Sequence, residues 1–341
     1  MLIFKKILPA CLSFILIVFV VSYAIIRPFL FSDAEDFLDN SLRDSLAGTL
    51  DYLVVGSCQG KYAFVPEILD EELGCTSYNL CGLHMSPNGK FAILSEELER
   101  NPVKNVIIDI DYDQLSYTTR GIRALGDISL LPRLGVSRVE YFFKNVHPED
   151  YHNIYSEYLF RGIMYQGKKL LGQETSAVNP SEKGHRSSES TDFTIKPENC
   201  IKTRQSEQLK TEIVENNDEK LSSLISVCKE KGINVILIMP PSADNYVWTY
   251  SGWDEIRKNL LEIAEQNDVQ YLDFNLFKEK NVLLNDKESY QDLWHLSVEG
   301  SKVFTERLCD VLKDIENGKD VSEQFYGSYE EVLQHSPYAA G

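Results

Sequence analysis

The 341-residue sequence has few basic residues and few cysteines for its length. Its 34 Lys and Arg stand against 52 Asp and Glu, so the formal net charge is −18 and there is no basic footprint for nucleic-acid phosphates. The seven cysteines form no CxxC pair and are spread thinly, which argues against a structural zinc site and a disulfide scaffold. A GxxxxGK phosphate loop and internal repeats are also missing. We therefore expect no nucleic-acid partner.

One long apolar run stands near the N-terminus. Residues 7–26 (ILPACLSFILIVFVVSYAII) carry no charge over 20 positions, enough for a helix to cross a hydrocarbon core of ~30 Å. Lys5 and Lys6 precede the run and acidic residues follow Arg27, so the positive-inside rule places residues 1–6 in the cytoplasm and the rest outside. A cleaved signal peptide would have a shorter apolar region and an A-x-A-like site. We predict an uncleaved single-pass anchor in the cell membrane.

From residue 50 to residue 314, short apolar runs alternate with helix-like segments. Hydrophobic residues are 43% and charged residues 25% of the chain, values typical of a globular domain. Strands separated by helices lie parallel, so the pattern predicts an α/β domain with helices on both faces of a parallel sheet. The predicted strands are residues 53–55, 76–80, 106–110, 235–239 and 270–274. The predicted helices are residues 65–73, 87–99, 218–231, 253–266 and 298–313.

Three other segments lack this alternation. Residues 33–49 have apolar residues at helical spacing and predict a connecting helix after the anchor. Residues 172–202 are rich in Ser, Glu, Lys, Gly and Pro, which indicates a loop insertion rather than a separate domain. Residues 315–341 are polar and acidic, and we expect them to form a tail.

Residues with useful chemistry follow two predicted strands and precede the last helix. Ligands bind beyond the carboxyl ends of the strands in an open parallel sheet. Residues 56–60 (GSCQG) follow the first strand, and their small side chains permit a sharp turn that exposes a nucleophile. Residues 79–82 (NLCG) follow the second strand and offer donors for an oxyanion. Asp292 and His295 are three residues apart, so the carboxylate can hold one ring nitrogen and leave the other as a base.

These motifs, in this order, make the chain resemble the SGNH/GDSL hydrolase superfamily. The family has a G-D-S nucleophile block after the first strand, a Gly in a second block and a final D-x-x-H, which match Gly56, Gly82 and residues 292–295. The stretches VVGSCQGKYAFVPEILDEELG, SYNLCG and DLWHLSVEGSKVFT are similar to the membrane-anchored branch with the teichoic-acid D-alanylation protein DltD and the alginate acetylation proteins. The resemblance covers most of residues 50–312 and implies a three-layer, flavodoxin-like SGNH fold.

Two departures from the family pattern leave the nucleophile open. In an alignment on G-D-S, Cys58 stands at the nucleophile position and Ser57 stands where the family has Asp. A thiol activated by a histidine is a strong nucleophile, so Cys58 is one candidate and Ser57 is the other. The third family block, G-x-N-D, has no counterpart, because residues 108–113 (IDIDYD) contain no Asn. Asn79 is a candidate replacement for that oxyanion donor. A site without covalent chemistry is the remaining alternative.

The resemblance implies an acyl-ester hydrolase or O-acyltransferase that acts outside the membrane on a cell-envelope polysaccharide or glycolipid. His295 would accept the proton of the nucleophile and Asp292 would orient His295. The backbone N–H groups of residue 58 and Gly82 would bind the oxyanion. This chemistry requires no cofactor and no metal. It implies the membrane, the acylated glycan or glycolipid and a membrane acyl-donor protein as partners. The alternative is a catalytically degenerate SGNH domain that acts as a glycan-binding or assembly scaffold.

Overall fold

A parallel five-stranded sheet in the order β2-β1-β3-β4-β5 lies at the centre of the computed structural model. The structure describes residues 2–31, 46, 48–83, 85–120, 127, 136–172, 183–186, 208–284 and 288–335. The strands are β1 (Tyr52–Val55), β2 (Ser77–Asn79), β3 (Asn105–Asp109), β4 (Asn234–Met239) and β5 (Gln270–Asp273). The chain changes direction across the sheet between β1 and β3, which is the position where doubly wound sheets bind ligands.

Side chains alternate along each strand, so both faces of the sheet present apolar residues, and helices cover both faces. Tyr52 and Val54 enter one core, and Leu53 and Val55 enter the other. The helices on the first face are α2 (Cys58–Ala63), α3 (Pro66–Leu73) and α11 (Val298–Glu316). Those on the second face are α4 (Pro87–Arg100), α7 (Asn217–Glu230) and α9 (Trp253–Gln266). The other described helices are α1 (Leu2–Phe31), α5 (Val136–Asn145), α6 (Tyr151–Leu170), α8 (Asp244–Thr249), α10 (Lys280–Leu283) and α12 (Tyr329–His335).

The α/β fold with a parallel sheet and helices on its faces is confirmed. Each predicted strand and helix of the domain is present, with its ends within three residues of the predicted ones. Helix α2 was not predicted, because its six residues are too few to show a helical period. The long helices α5 and α6 were not predicted either. They lie between the third and fourth strands of the chain.

Residues 7–26, the predicted anchor, lie within α1. The side chains of Phe14 and Phe19 in this helix are exposed, and α1 packs beside α6. Over the residues that the structure describes, none of the helices combines the length and the hydropathy that a membrane crossing needs. The predicted connecting helix, residues 33–49, falls mostly outside the described residues, and so does most of the insertion at residues 172–202.

The segment that we expected to be an acidic tail, residues 315–341, differs from that expectation where the structure describes it. Helix α12 packs on α9. Tyr329 is buried, its ring stacks on Trp253 with 5.2 Å between the centroids, and its hydroxyl donates to Asp273 (2.8 Å). Aromatic residues in this polar sequence therefore attach the segment to the core of the domain.

Candidate active site

The turn after β1 closes over the side chain of Asp109. A Cβ atom on Gly56 would lie 2.2 Å from the Cβ atom of Asp109, and one on Gly60 would lie 2.8 Å from the same atom. Contacts that short do not occur between real side chains, so both glycines are needed for β3 to approach the turn. The GSCQG spacing that predicts a nucleophile turn thus also makes space for a buried carboxylate.

Ser57, one of the two candidate nucleophiles, is fully buried and caps α2. Its Oγ accepts the backbone N–H of Gln59 (3.3 Å) and donates to Oδ2 of Asp109 (2.9 Å). The backbone N–H of Ser57 also donates to that oxygen (2.7 Å). The hydroxyl therefore has a structural task in this arrangement, which is to fix the first turn of α2.

Cys58, the other candidate, is the first residue of α2 and is half-buried. Cys58 and Tyr62 share one face of α2, because residues four apart lie one turn above each other. The Tyr62 ring lies against the His295 ring, with 4.8 Å between the centroids. The side-chain amide of Gln59 donates to the carbonyl oxygen of Trp294 (3.5 Å). These contacts place the loop that carries His295 against the first turn of α2.

Asp292 and His295 form the predicted hydrogen-bonded pair. Oδ2 of Asp292 lies 2.8 Å from Nδ1 of His295, and Oδ1 accepts the backbone N–H groups of Trp294 (3.0 Å) and His295 (2.9 Å). Burial acts to raise the pKa of Asp292, but the hydrogen bond and charge of His295 and the two backbone donors outweigh it and lower the pKa. The carboxylate is thus ionised, so it accepts hydrogen bonds and donates none. Nδ1 of the neutral ring therefore carries the proton, and Nε2 is the basic nitrogen.

The two groups predicted to bind an oxyanion have other partners in the structure. The Gly82 N–H donates to the carbonyl oxygen of Gly56 (3.0 Å). The side-chain amide of the buried Asn79 donates to the carbonyl oxygens of Gly60 and Phe64 (2.9 Å each). Both groups therefore join the NLCG segment to the turn after β1 and to α2, and their part in binding an oxyanion stays a prediction.

Asp109 is the functional candidate that sequence reasoning missed. It is fully buried, and burial raises its pKa to about 6, although the charge of Lys90 acts to lower it. Lys90 is fully buried as well, and its Nζ donates to the backbone carbonyl oxygen of Asp109 (2.9 Å). The sequence contained a signal for it, namely a carboxylate at the end of an apolar strand. A buried carboxylate needs a hydrogen-bonding or charged partner, so such a position indicates a special role.

The described site combines a thiol, an imidazole and a carboxylate that orders the imidazole. These are the groups that nucleophilic acyl transfer uses. Among the residues that the structure describes, no cluster of three or more His, Cys, Asp or Glu side chains has the geometry of a metal site.

Comparison with solved structures finds eight similar chains, and two of them illustrate the low identity. A GDSL-like lipase from Bacteroides thetaiotaomicron VPI-5482 is 11% identical, with a TM-score of 0.38, over 81% of this chain and 96% of that chain. A protein assigned as an acylhydrolase from Bacteroides fragilis NCTC 9343 is 8% identical, with a TM-score of 0.35, over 79% of this chain and 86% of that chain. No protein-family model and no curated protein matches the sequence.

Proposed function

We propose that the protein is an acyl-ester hydrolase or O-acyltransferase of the SGNH type with Cys58 as its nucleophile. The observation that carries the proposal is the state of His295. Asp292 holds its Nδ1, whereas its Nε2 is buried and has no hydrogen-bond partner among the described residues. A buried nitrogen without a partner is unfavourable for stability, so it indicates a function. The ring lies against the helix that begins at Cys58, which suits a general base.

In the first half of the reaction, the Cys58 thiol attacks the carbonyl carbon of the acyl ester. Its proton passes to Nε2 of His295, and a tetrahedral intermediate forms with its charge on the carbonyl oxygen. The intermediate collapses when the C–O bond to the alcohol breaks, and the alcohol leaves with the proton from Nε2. An acyl thioester on Cys58 remains. Asp292 stabilises the imidazolium that exists between these two proton transfers.

The second half of the reaction returns the enzyme to its starting state. Water in a hydrolase, or a hydroxyl of the acceptor in a transferase, gives its proton to Nε2 and attacks the thioester carbonyl. The C–S bond breaks, and Sγ of Cys58 recovers the proton from His295. We assign the oxyanion to the backbone N–H of Cys58, at the first position of α2, because the Gly82 N–H is bound to Gly56.

We place this reaction at the outer face of a cell membrane, with residues 7–26 as an uncleaved anchor. The charge-free run and the two lysines before it support this orientation. An enzyme held there reaches cell-envelope polysaccharide and glycolipid, and a membrane protein can hand it an acyl group. The acidic domain repels anionic polymers, which favours a neutral glycan as acceptor.

A second candidate function is a glycan-binding or assembly scaffold that performs no turnover. The observation that favours it is that the predicted oxyanion donors are bound to other groups. Gly82 and Asn79 are both engaged elsewhere, and residues 108–113 offer carboxylates in place of the family Asn. A carboxylate near a developing oxyanion raises the barrier to acyl transfer.

Ester hydrolysis by the full-length protein in detergent separates the two functions. We expect His295→Ala to lower kcat/KM for p-nitrophenyl acetate and longer acyl esters by at least about 100-fold, because the general base is lost. The matched control is His152→Ala, since His152 is an exposed histidine on α6. Equal rates for the wild-type protein and His295→Ala on every acyl donor would contradict the enzymatic proposal and favour the scaffold.

A further inference from the structure

Asp109 shapes the turn before Cys58, yet the acyl-transfer steps give it no part. Its Oδ2 accepts both the N–H and the Oγ–H of Ser57, which is the N-cap of α2. An N-cap determines where a helix begins, so these two bonds fix the start of α2. Cys58 is the next residue. The position of the Asp109 carboxylate therefore determines the position of the thiol.

Charged and titratable groups from several elements face Asp109. Burial raises the pKa of the Cys81 thiol well above its usual range, and the charges of Asp109 and Cys58 raise it further, whereas Lys90 and Lys61 act to lower it. Ser57, whose N–H and hydroxyl both donate to Oδ2 of Asp109, directly precedes Cys58, so the thiol and the carboxylate lie within electrostatic range of each other. The groups around Asp109 are Lys90 on α4, Asp111 beyond β3, Ser57 at the turn and Cys81 beyond β2.

We propose that Asp109 is a positioning residue, which fixes the start of α2 through Ser57 and whose negative charge opposes ionisation of the Cys58 thiol. This inference deepens the proposed function and rests on it, because it takes Cys58 as the reacting group. Two negative charges in a water-poor region repel strongly, so the ionised carboxylate disfavours a thiolate. Lys90 lies near enough to offset part of this repulsion but donates to the Asp109 backbone and to Gln114.

The arrangement has a consequence for a protein that works outside the cell. A permanently ionised thiol is the form that oxidants attack, first to a sulfenic acid and then to irreversible products. With Asp109 ionised, Cys58 keeps its proton at rest and loses it to His295 only when substrate is attacked. Asp109 therefore protects the nucleophile between turnovers, at the expense of a slower attack.

Alkylation of Cys58 by iodoacetamide tests the inference without any need for catalysis. Trypsin releases residues 44–61 as a peptide in which Cys58 is the one cysteine, so mass spectrometry follows this thiol alone. In Asp109→Asn, the amide oxygen still accepts from Ser57 but the charge is gone. We expect alkylation near neutral pH to be about tenfold faster than in the wild type, with its pH midpoint about one unit lower. The control Asp268→Asn changes a fully exposed carboxylate and should match the wild type.

An unchanged rate and midpoint in Asp109→Asn would overturn the inference. If that variant does not fold, His295→Ala supplies the decision, because it retains Asp109 and removes the proposed general base. Its alkylation profile should show a second inflection near pH 6, where Asp109 ionises, and a single ionisation would overturn the inference. Absence of esterase activity in the wild type would contradict the proposed function alone, since alkylation reports on the thiol whether or not the protein turns over substrate.

Discussion

Three aspartates show how the surroundings of one residue decide its charge. Asp292 is partly exposed, and its hydrogen bonds to His295 and to two backbone N–H groups outweigh the effect of burial, so its pKa is lowered. Asp109 and Asp127 are fully buried, and there burial outweighs the hydrogen bonds and raises the pKa to about 6 and about 7. The same side chain is therefore a permanent anion beside the histidine and a titrating group in the core.

The free energy of unfolding should depend on pH through the ionisation of Asp127. Its folded pKa lies above the unfolded value, so its contribution to stability is complete below about pH 4 and is lost as the pH rises to about 7. A shift of this size corresponds to at most ~4 kcal/mol. We expect the wild type to lose stability relative to Asp127→Asn across this range, as measured by urea unfolding. A difference between the two proteins that does not change with pH would contradict the prediction.

At the candidate site, sequence spacing predicted one local contact and none of the long-range ones. The three-residue separation of Asp292 and His295 is local, and the pair forms as predicted. The partners of Ser57 and Gly82 come from distant positions in the chain or from another turn. No local pattern reveals that the Ser57 hydroxyl meets Asp109, 52 residues away. Roles that depend on such long-range contacts required the structure.

At the level of elements, α4 and α11 begin with the same device. Ser86 and Ser297 are their N-caps, and each Oγ accepts the backbone N–H of a glycine three residues later at 3.2 Å. A Cβ atom on Gly89 would lie 1.9 Å from Oδ1 of Asp127, and one on Gly300 would lie 1.9 Å from a carbonyl oxygen of the preceding loop. The first turn of each helix is thus pressed against another part of the chain, which fixes the direction of the helix.

This contact predicts opposite effects of one substitution at two helical glycines. Gly89→Ala should destabilise the fold by about 1–3 kcal/mol, because the new methyl group overlaps the Asp127 carboxylate. Gly167→Ala in α6 should stabilise it by up to ~1 kcal/mol, since nothing lies within 4 Å of its Cβ position and alanine favours a helix. The free energy of urea unfolding measures both. Equal effects at the two positions would show that the close approach at Gly89 is relieved by movement of the carboxylate.

Helices and strands that are long or that have capping residues at their ends were predicted from the sequence, and short helices were not. The apolar strand runs and the helices with Pro66, Pro87 or a terminal glycine carried local signals, and these elements were predicted. Short helices such as α2, α8 and α10 carry no period. Asn216, not Asn217, is the N-cap of α7. The Asn217 amide instead donates to backbone carbonyl oxygens about 100 positions away, which no local pattern reveals.

At the scale of the whole molecule, charge and apolarity are unevenly distributed. Lys5 and Lys6 are the charged residues of positions 1–26, and since the whole chain has a net charge of −18, residues 27–341 carry −20. Acidic residues after an apolar run and two cations before it are the asymmetry that orients a single-pass protein. The proposed reaction depends on this orientation, because an acyl group can reach an envelope glycan only outside the membrane.

Reporter fusions test the orientation of the whole chain. Alkaline phosphatase fused after Gly341 should be active, because this enzyme works only on the outer side of the membrane. A green fluorescent protein fused at the same place should be dark, because it fluoresces only in the cytoplasm. Lys5→Glu with Lys6→Glu removes the two cations and should lower phosphatase activity, while Lys319→Glu in the domain should leave it unchanged. The N-terminal mass of the membrane-bound protein completes the test, since a mature chain that begins after residue 26 would contradict an uncleaved anchor. Fluorescence at the C-terminus in place of phosphatase activity would place the site in the cytoplasm and remove envelope glycans from its reach.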